Sequence, residues 1–255
     1  MPLPRDRALI AERGNKRVYD CGDAIAKVFN ESKPASEVLG EALNLARINE
    51  CGIPSPRVRG VEHVPGEGWA LVTEKVPGTT LDVSMRRDPS RFYELLERFC
   101  DLQIAVHARR CDQLPRQRDK YGRMIEGLAG QLSATQRYNL LERVSDLSGP
   151  ARVCHGDFNP TNVIEGADGS LSVCDWAHAS QGSPLADAAT TYLLFALDDR
   201  AQAEVYLDLY CERADEPVQV VRRWTSVVAA CELSRGRADI DRGFLMSWID
   251  VVDHQ

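Results

Sequence analysis

The sequence predicts an α+β chain, with a smaller N-terminal part (an antiparallel sheet and one main helix) followed by a larger, mainly helical part. Three patterns predict it. Short apolar runs joined by tight turns occupy residues 7–30 and 57–74. A single helical stretch, 32–50, lies between them. From Asp88 onward most apolar residues recur at helical spacing, and strand-like runs return only around 151–174. At 255 residues the chain is long enough for a well-buried core and for two lobes.

The first strands are expected over 7–12, at Val18-Tyr19 after a turn around Gly14, and over 24–29 after a tight turn at 20–23. Lys27 interrupts the third apolar run, so it either faces solvent or is held by a partner. The backbone amides of Asn15, Lys16 and Arg17 could line a phosphate site, and an ordinary hairpin turn would read the same way. The helix over 32–50 has Ser32 or Ser36 as its cap, Pro34 early, and Val38, Ala42, Leu45 and Ile48 on one face. Gly52 stops it, and Ile53-Pro54-Ser55-Pro56 runs extended. Strands follow over 57–64 and 69–74. Asp88-Pro89 opens a strong helix, a cap followed by proline at the first position, with Phe92, Leu95, Leu96, Phe99, Leu102 and Val106 inward. His107 at its end reads as packed or capping, because no paired acid is suggested nearby. Helices at about 118–131 and 134–147 lead to strands over 151–154, 163–164 and 171–174. Three more, at about 201–212, 217–234 and 239–252, carry Trp224, Val227, Val228, Cys231 and Leu245 as core.

No apolar run approaches the ~18–20 residues needed to span a bilayer, and no apolar stretch follows Met1–Arg7 to make a signal peptide. Eight cysteines are scattered without a C-x-x-C pair, which suits reduced thiols and a cytoplasmic location. Net charge is −7, unevenly placed: from Gly156 onward seven arginines and no lysine face 17 acidic residues, a net −10. That balance argues against nucleic acid as a partner and favours a cationic or neutral small molecule, although a solvated acidic surface gives the same count.

The chemistry concentrates in His155-Gly156-Asp157-Phe158-Asn159-Pro160-Thr161-Asn162 and, thirteen positions on, Asp175-Trp176. Turns leaving two strands bring two carboxylates and an amide near one another. Mg2+ prefers hard oxygens, few of them from protein and the rest from phosphates and water, so oxygens drawn from Asp157, Asn162 and Asp175 can hold it beside a triphosphate. The remaining Asp is then free to accept a proton from an attacking hydroxyl. These strings, with the spacing H-x-D-x-x-x-x-N and a following Asp, resemble those of the aminoglycoside phosphotransferase and choline-kinase-like group of small-molecule kinases.

That resemblance implies a two-lobed protein-kinase-like fold, with a nucleotide-binding lobe over 1–76 and a catalytic and substrate-binding lobe over 77–255. It implies ATP and Mg2+ as cofactors, Asn162 and Asp175 as the ligands of the metal, Asp157 as the catalytic base, and Lys27 on the α- and β-phosphates with Glu41 as its partner. Glu37, one turn earlier, is the reserve. The carbonyl of Glu74 and the amide of Val76 would bond the adenine edge, where an uncommitted linker fits as well. Asp187 would brace the catalytic loop by accepting backbone N–H bonds, or stand as a first-turn helix aspartate. His155 reads as a structural brace. Departures from the pattern are Trp176-Ala177 in place of Phe-Gly, Asn159, and a glycine-poor turn at Gly14; none removes a charged participant. The activity implied is transfer of the γ-phosphate of Mg-ATP to a hydroxyl of a small molecule, aminoglycoside-like or another amine or sugar acceptor. A choline- or sugar-type metabolic kinase, and a catalytically silent nucleotide-binding scaffold, remain as alternatives. A protein kinase fits less well, since residues 177–183 are too few for an activation loop. Neither nucleic acid nor membrane is expected as a partner.

Overall fold

The computed structural model describes residues 7–146, 151–237 and 240–250. The segment read for a leader falls largely outside them, at 1–6. Packing groups the chain into two compact units. One comprises the chain up to Ser84 with Thr161–His178, the other Met85–Pro160 with the chain from Ala179 onward.

In the first unit a five-stranded antiparallel sheet is built from β1 (Ala8–Arg13), β2 (Lys16–Asp20), β3 (Ala24–Phe29), β4 (Val58–Val64) and β5 (Gly68–Glu74), in the order β1-β2-β3-β5-β4. Side chains alternate along β3. Ala26 and Val28 pack with Tyr19 and Ala70 on one face. Phe29 and Leu71 pack with Val38 and Ala42 of α1 (Ala35–Glu50) on the other. Lys27 shares a face with Phe29, so alternation alone directs it toward α1. The expected apolar face of α1, Val38, Ala42, Leu45 and Ile48, is buried. The expected caps do not form. The helix starts after Pro34 with no side-chain cap, Ser32 bonds Asn30 Oδ1 instead, and Ser36 lies inside the helix.

Five further strands follow, β6 (Thr79–Thr80), β7 (Arg152–Cys154), β8 (Val163–Glu165), β9 (Leu171–Val173) and β10 (Ser180–Gly182). β6, β8 and β9 form a second antiparallel sheet in the first unit, where the amide of Val173 also donates to Pro54 O at 2.8 Å. β7 and β10 pair in the second unit.

A short α2 (Leu81–Arg87), not anticipated, precedes α3 (Phe92–His107). Asp88 does act as a cap, but for a 3-10 turn, Pro89–Arg91, which runs on into α3. Leu95, Leu96, Phe99 and Val106 are buried as their spacing predicts, while Phe92 and Leu102 are half-buried. α4 (Gln117–Glu126) and α5 (Ala134–Ser145) follow, the latter opened by a capping box between Ser133 and Gln136. After β10 come α6 (Pro184–Asp198), α7 (Arg200–Ala214), α8 (Val218–Arg222), α9 (Thr225–Ser234) and α10 (Arg242–Ile249). The single helix expected over 217–234 is two, broken at Arg223 and half-buried Trp224. Of the expected helix ends, positions 147, 239 and 251–252 lie outside the described residues. The second unit's core is aromatic, with Phe99 against Phe195, and Phe195 stacked on Tyr206 at 5.2 Å.

Candidate active site

In the first unit, charged side chains far apart in sequence meet. Lys27 Nζ donates to Glu41 Oε1 at 2.5 Å and to Asp175 Oδ1 at 2.7 Å. Lys16 Nζ donates to the other oxygen of Asp175 at 2.9 Å. Of the two glutamates weighed for Lys27, Glu41 is the one that touches it, and Lys33 lies 3.7 Å from the far oxygen of Glu41. Burial would push the Lys27 ammonium down, but Asp175 and Glu41 outweigh it and hold it above its usual value. Burial likewise works to raise the Asp175 carboxyl, and Lys27 with Lys16 overcome it, keeping Asp175 well below the usual carboxylate range. Lys16 comes out differently. Burial and the neighbouring Lys27 lower it despite its bond to Asp175.

Asp175 stands at the exit of β9 with φ 60°, a left-handed conformation rare outside glycine that concentrates at functional sites. Asn162 is placed beside it by the strand pairing. Val163 opposes Val173, and Asn162 O accepts from Cys174 N at 2.8 Å. A carboxylate and an amide, both hard oxygen donors on adjacent strand ends, fit Mg2+. Among the described residues no cluster of three or more His, Cys, Asp or Glu could hold a metal. Holding the ion would require Asp175 to release ammonium contacts it now makes. Of the positions expected at the adenine, Glu74 ends β5 with its amide donating to Arg57 O at 2.8 Å, and Val76 is half-buried in the coil before β6.

In the second unit β7 ends at Cys154 and the chain turns sharply through Gly156, whose φ of 77° explains a glycine between His155 and Asp157. The turn hangs on Asp187, in the first turn of α6 and wholly buried. Its carboxylate accepts from His155 N at 2.9 Å and Gly156 N at 2.7 Å. Burial opposes ionisation there, but His107 and these bonds hold the carboxyl below its usual value. The expectation that His107 lacks an acid is therefore corrected. Its Nε2 lies 3.0 Å from Asp187 Oδ2, and its Nδ1 3.0 Å from the Tyr210 hydroxyl. The acid comes 80 positions later in the chain, a spacing that no local pattern displays. His155 is fully buried and its Nδ1 accepts from Asp157 N at 3.2 Å. Phe158, fully buried 4.7 Å from Phe99, pins the loop to α3. Asp157 itself is 16% exposed, and Arg235, just past α9, closes on the loop. Its Nη2 donates to Gly156 O at 2.6 Å and its Nη1 lies 3.8 Å from Asp157 Oδ1.

The sequence model of the APH phosphotransferase enzyme family matches residues 11–221. The chain belongs to that family. Solved structures agree in fold. Aminoglycoside phosphotransferase APH(4)-Ia superposes with a TM-score of 0.73 at 15% identity, covering 96% of this chain and 92% of that one. APH(3'')-Id from Streptomyces rimosus gives 0.67 at 19%, covering 88% and 92%, and an aminoglycoside-3'-phosphotransferase of type VIII gives 0.66 at 20%, covering 89% and 93%. No curated protein matches the chain. The phosphotransferase thus has the protein-kinase-like α+β fold, and it is an enzyme of the small-molecule-kinase type. No described helix is long and apolar enough to cross a membrane.

Three cations beside the expected residues escaped the sequence: Lys16, which bonds Asp175 in the first unit, and Lys120 and Arg235 in the second. Lys16 was within reach. It opposes Phe29 in the β2–β3 register, on the face that carries Lys27, and the tight turn before β3 sets that register.

Proposed function

We propose that the chain transfers the γ-phosphoryl group of ATP to a hydroxyl of a small molecule, with Mg2+ as the metal. The observation that carries this reading is the Lys27 ammonium between Glu41 and Asp175, 14 and 148 positions away in sequence. Phosphoryl transfer asks for positioning and charge neutralisation more than covalent help. Lys27, fixed by Glu41, neutralises α- and β-phosphate oxygens, and Lys16 adds a second ammonium for the same anion. Asn162 and Asp175 would hold Mg2+, which when bound neutralises charge on the phosphates. Glu74 O and Val76 N receive the adenine edge. Asp157, on a loop held by Asp187, accepts the proton of the attacking hydroxyl. In this reading 1–76 is the nucleotide-binding lobe and 77–255 the catalytic and substrate-binding lobe.

Related structures contain ADP with hygromycin B or ADP with streptomycin, which supports a nucleotide and a hydroxyl-bearing acceptor here. The test is ADP release from Mg-ATP with a panel of aminoglycosides, amino alcohols, hydroxy acids and sugars. Acceptor-dependent release, reduced about a hundredfold or more in Asp157→Asn, is the expected result. ATP binding without turnover on any acceptor, unchanged in that variant, would make the protein a silent scaffold.

A further inference from the structure

We infer that Arg235 is a positioning residue for Asp157, and that Glu232 keeps the Arg235 charge from closing on the Asp157 carboxylate. The inference rests on the phosphotransfer reading above and extends it to residues outside the string that carries Asp157.

The peptide that joins Gly156 to Asp157 is held at both of its polar atoms. Its oxygen, Gly156 O, accepts from Arg235 Nη2 at 2.6 Å, and its N–H, on Asp157, donates to His155 Nδ1 at 3.2 Å. The peptide before it is held as well, the Gly156 N–H donating to Asp187 Oδ1 at 2.7 Å. Gly156 is therefore gripped by a carboxylate on one side and a guanidinium on the other, both in charge-assisted bonds. A glycine at φ 77° has wide conformational freedom of its own, so its geometry has to come from such partners. Fixing the Gly156–Asp157 plane fixes the direction in which the Asp157 side chain leaves the backbone. Asp187 does this from the start of α6, and Arg235 does it from the end of α9, 79 positions further along the chain than Gly156.

Glu232 and Arg235 are three residues apart at the end of α9, a spacing that puts both on one side of the helix. Their side chains are only 2% and 12% exposed. A buried ion pair is weak support for stability, because desolvation offsets its attraction, so its placement asks for another reason. The distances supply one. Arg235 Nη1 lies 2.9 Å from Glu232 Oε2 and 3.8 Å from Asp157 Oδ1, inside the field of the second carboxylate but beyond hydrogen-bond length. Glu232 is anchored in turn through its other oxygen, which accepts from Arg237 Nε at 2.6 Å. The guanidinium thus commits one nitrogen to the loop backbone and another to Glu232. Asp157 gains a neighbouring positive charge without a direct pair to Arg235 that would compete with the acceptor hydroxyl.

The test is steady-state kinetics with Mg-ATP and whichever acceptor of the panel above releases ADP fastest. It compares Arg235→Met, Arg235→Lys, Glu232→Gln and the Arg235→Met, Glu232→Gln double variant, each rate taken per folded molecule by circular dichroism. Arg235→Met should lower kcat about ten- to a hundredfold with KM for ATP and acceptor nearly unchanged, since the loss is one of orientation. Arg235→Lys should recover part of it. Glu232→Gln should lower kcat about tenfold by letting Arg235 pair with Asp157. In the Arg235→Met background the same change should cost nothing further. If Arg235→Met does not fold, Arg235→Lys and Glu232→Gln, which keep the buried volume, carry the test. An unchanged kcat in the Arg235 variants, or a raised KM for the acceptor at constant kcat, overturns the positioning role and leaves phosphotransfer intact. A Glu232→Gln loss that persists undiminished without Arg235 overturns the part assigned to Glu232. No turnover with any acceptor, in protein that binds Mg-ATP, rejects the phosphotransfer reading itself and this inference with it.

Discussion

Asp175 accepts from two ammonium groups at once, one on each carboxylate oxygen, and Lys27 divides its protons between Asp175 and Glu41. Such a cluster is worth more to chemistry than to stability, because burying the charges offsets much of their attraction. Replacing Lys27 by Met should lower kcat by about a hundred- to a thousandfold. Thermal stability should fall less, since Lys16 still answers Asp175 and Lys33 lies near Glu41. Turnover and calorimetry on one preparation decide this, and a variant that loses its fold but keeps per-molecule activity would contradict it. Lys120 gives a prediction of a different kind. Its ammonium titrates near about 10.4 in an unfolded chain and is pushed down to about 7 in the fold. Between those values the unfolded chain binds the extra proton, so folding stability contributed by this group rises with pH from about 7 to about 10. Lys120→Met lacks that titration. The variant should therefore melt above the wild type near about pH 6.5, with the gap narrowing toward about pH 9.5. A gap that stays constant over this range would show that Lys120 is not depressed.

At the scale of the elements, the two units depend on different kinds of information. The apolar faces of α1 and α3 were legible, because a 3.6-residue period is visible within a single helix. The start of α1 was not, since Ser32 found a nearer partner in Asn30 and proline took the cap position. The break between α8 and α9 was also hidden, both halves being apolar enough to continue one helix. Among the expected site residues, Asp157, Asn162 and Asp175 announce themselves as one string and the strand after it. His107 on α3, Lys120 on α4 and Arg235 just past α9 come to the second unit's loop by packing alone, and no spacing foretells that. The loop that carries Asp157 shows the consequence. Its geometry between β7 and α6 rests on the Asp187 carboxylate, which satisfies two backbone N–H groups and one imidazole. Asp187→Ala leaves all three enclosed donors without their acceptor, a loss of about 2–5 kcal/mol. Asp187→Asn keeps one acceptor oxygen and should lose less. Urea denaturation that ranks the alanine variant at or above the asparagine variant would refute the brace.

At the scale of the whole molecule, ligand binding and folding are linked through the same charges. Mg2+ alone should have little to gain, because taking Asp175 would deprive Lys16 of its carboxylate and leave Lys27 only Glu41. On the proposed function ATP would supply what those lysines need, so nucleotide and metal should bind as partners and neither as a full substitute for the pair. A ligand present at a hundred times its Kd stabilises the folded state by about 2.7 kcal/mol. For a chain of this size each kcal/mol is about 2–4 °C in Tm. Saturating Mg-ATP, or its non-hydrolysable analogue, should therefore raise Tm by about 5–10 °C. Mg2+ alone should raise it little, and ATP with a chelator should fall between. Asp175→Asn should separate the two effects, with the ATP shift largely kept through Lys27 and Lys16 and the further increment from Mg2+ lost. A substantial upward shift from Mg2+ in the absence of nucleotide would mean that the ion binds elsewhere, or that the two lysines yield Asp175 without needing a phosphate to receive them. Either outcome would remove the linkage between metal and triphosphate on which this account of Asp175 depends.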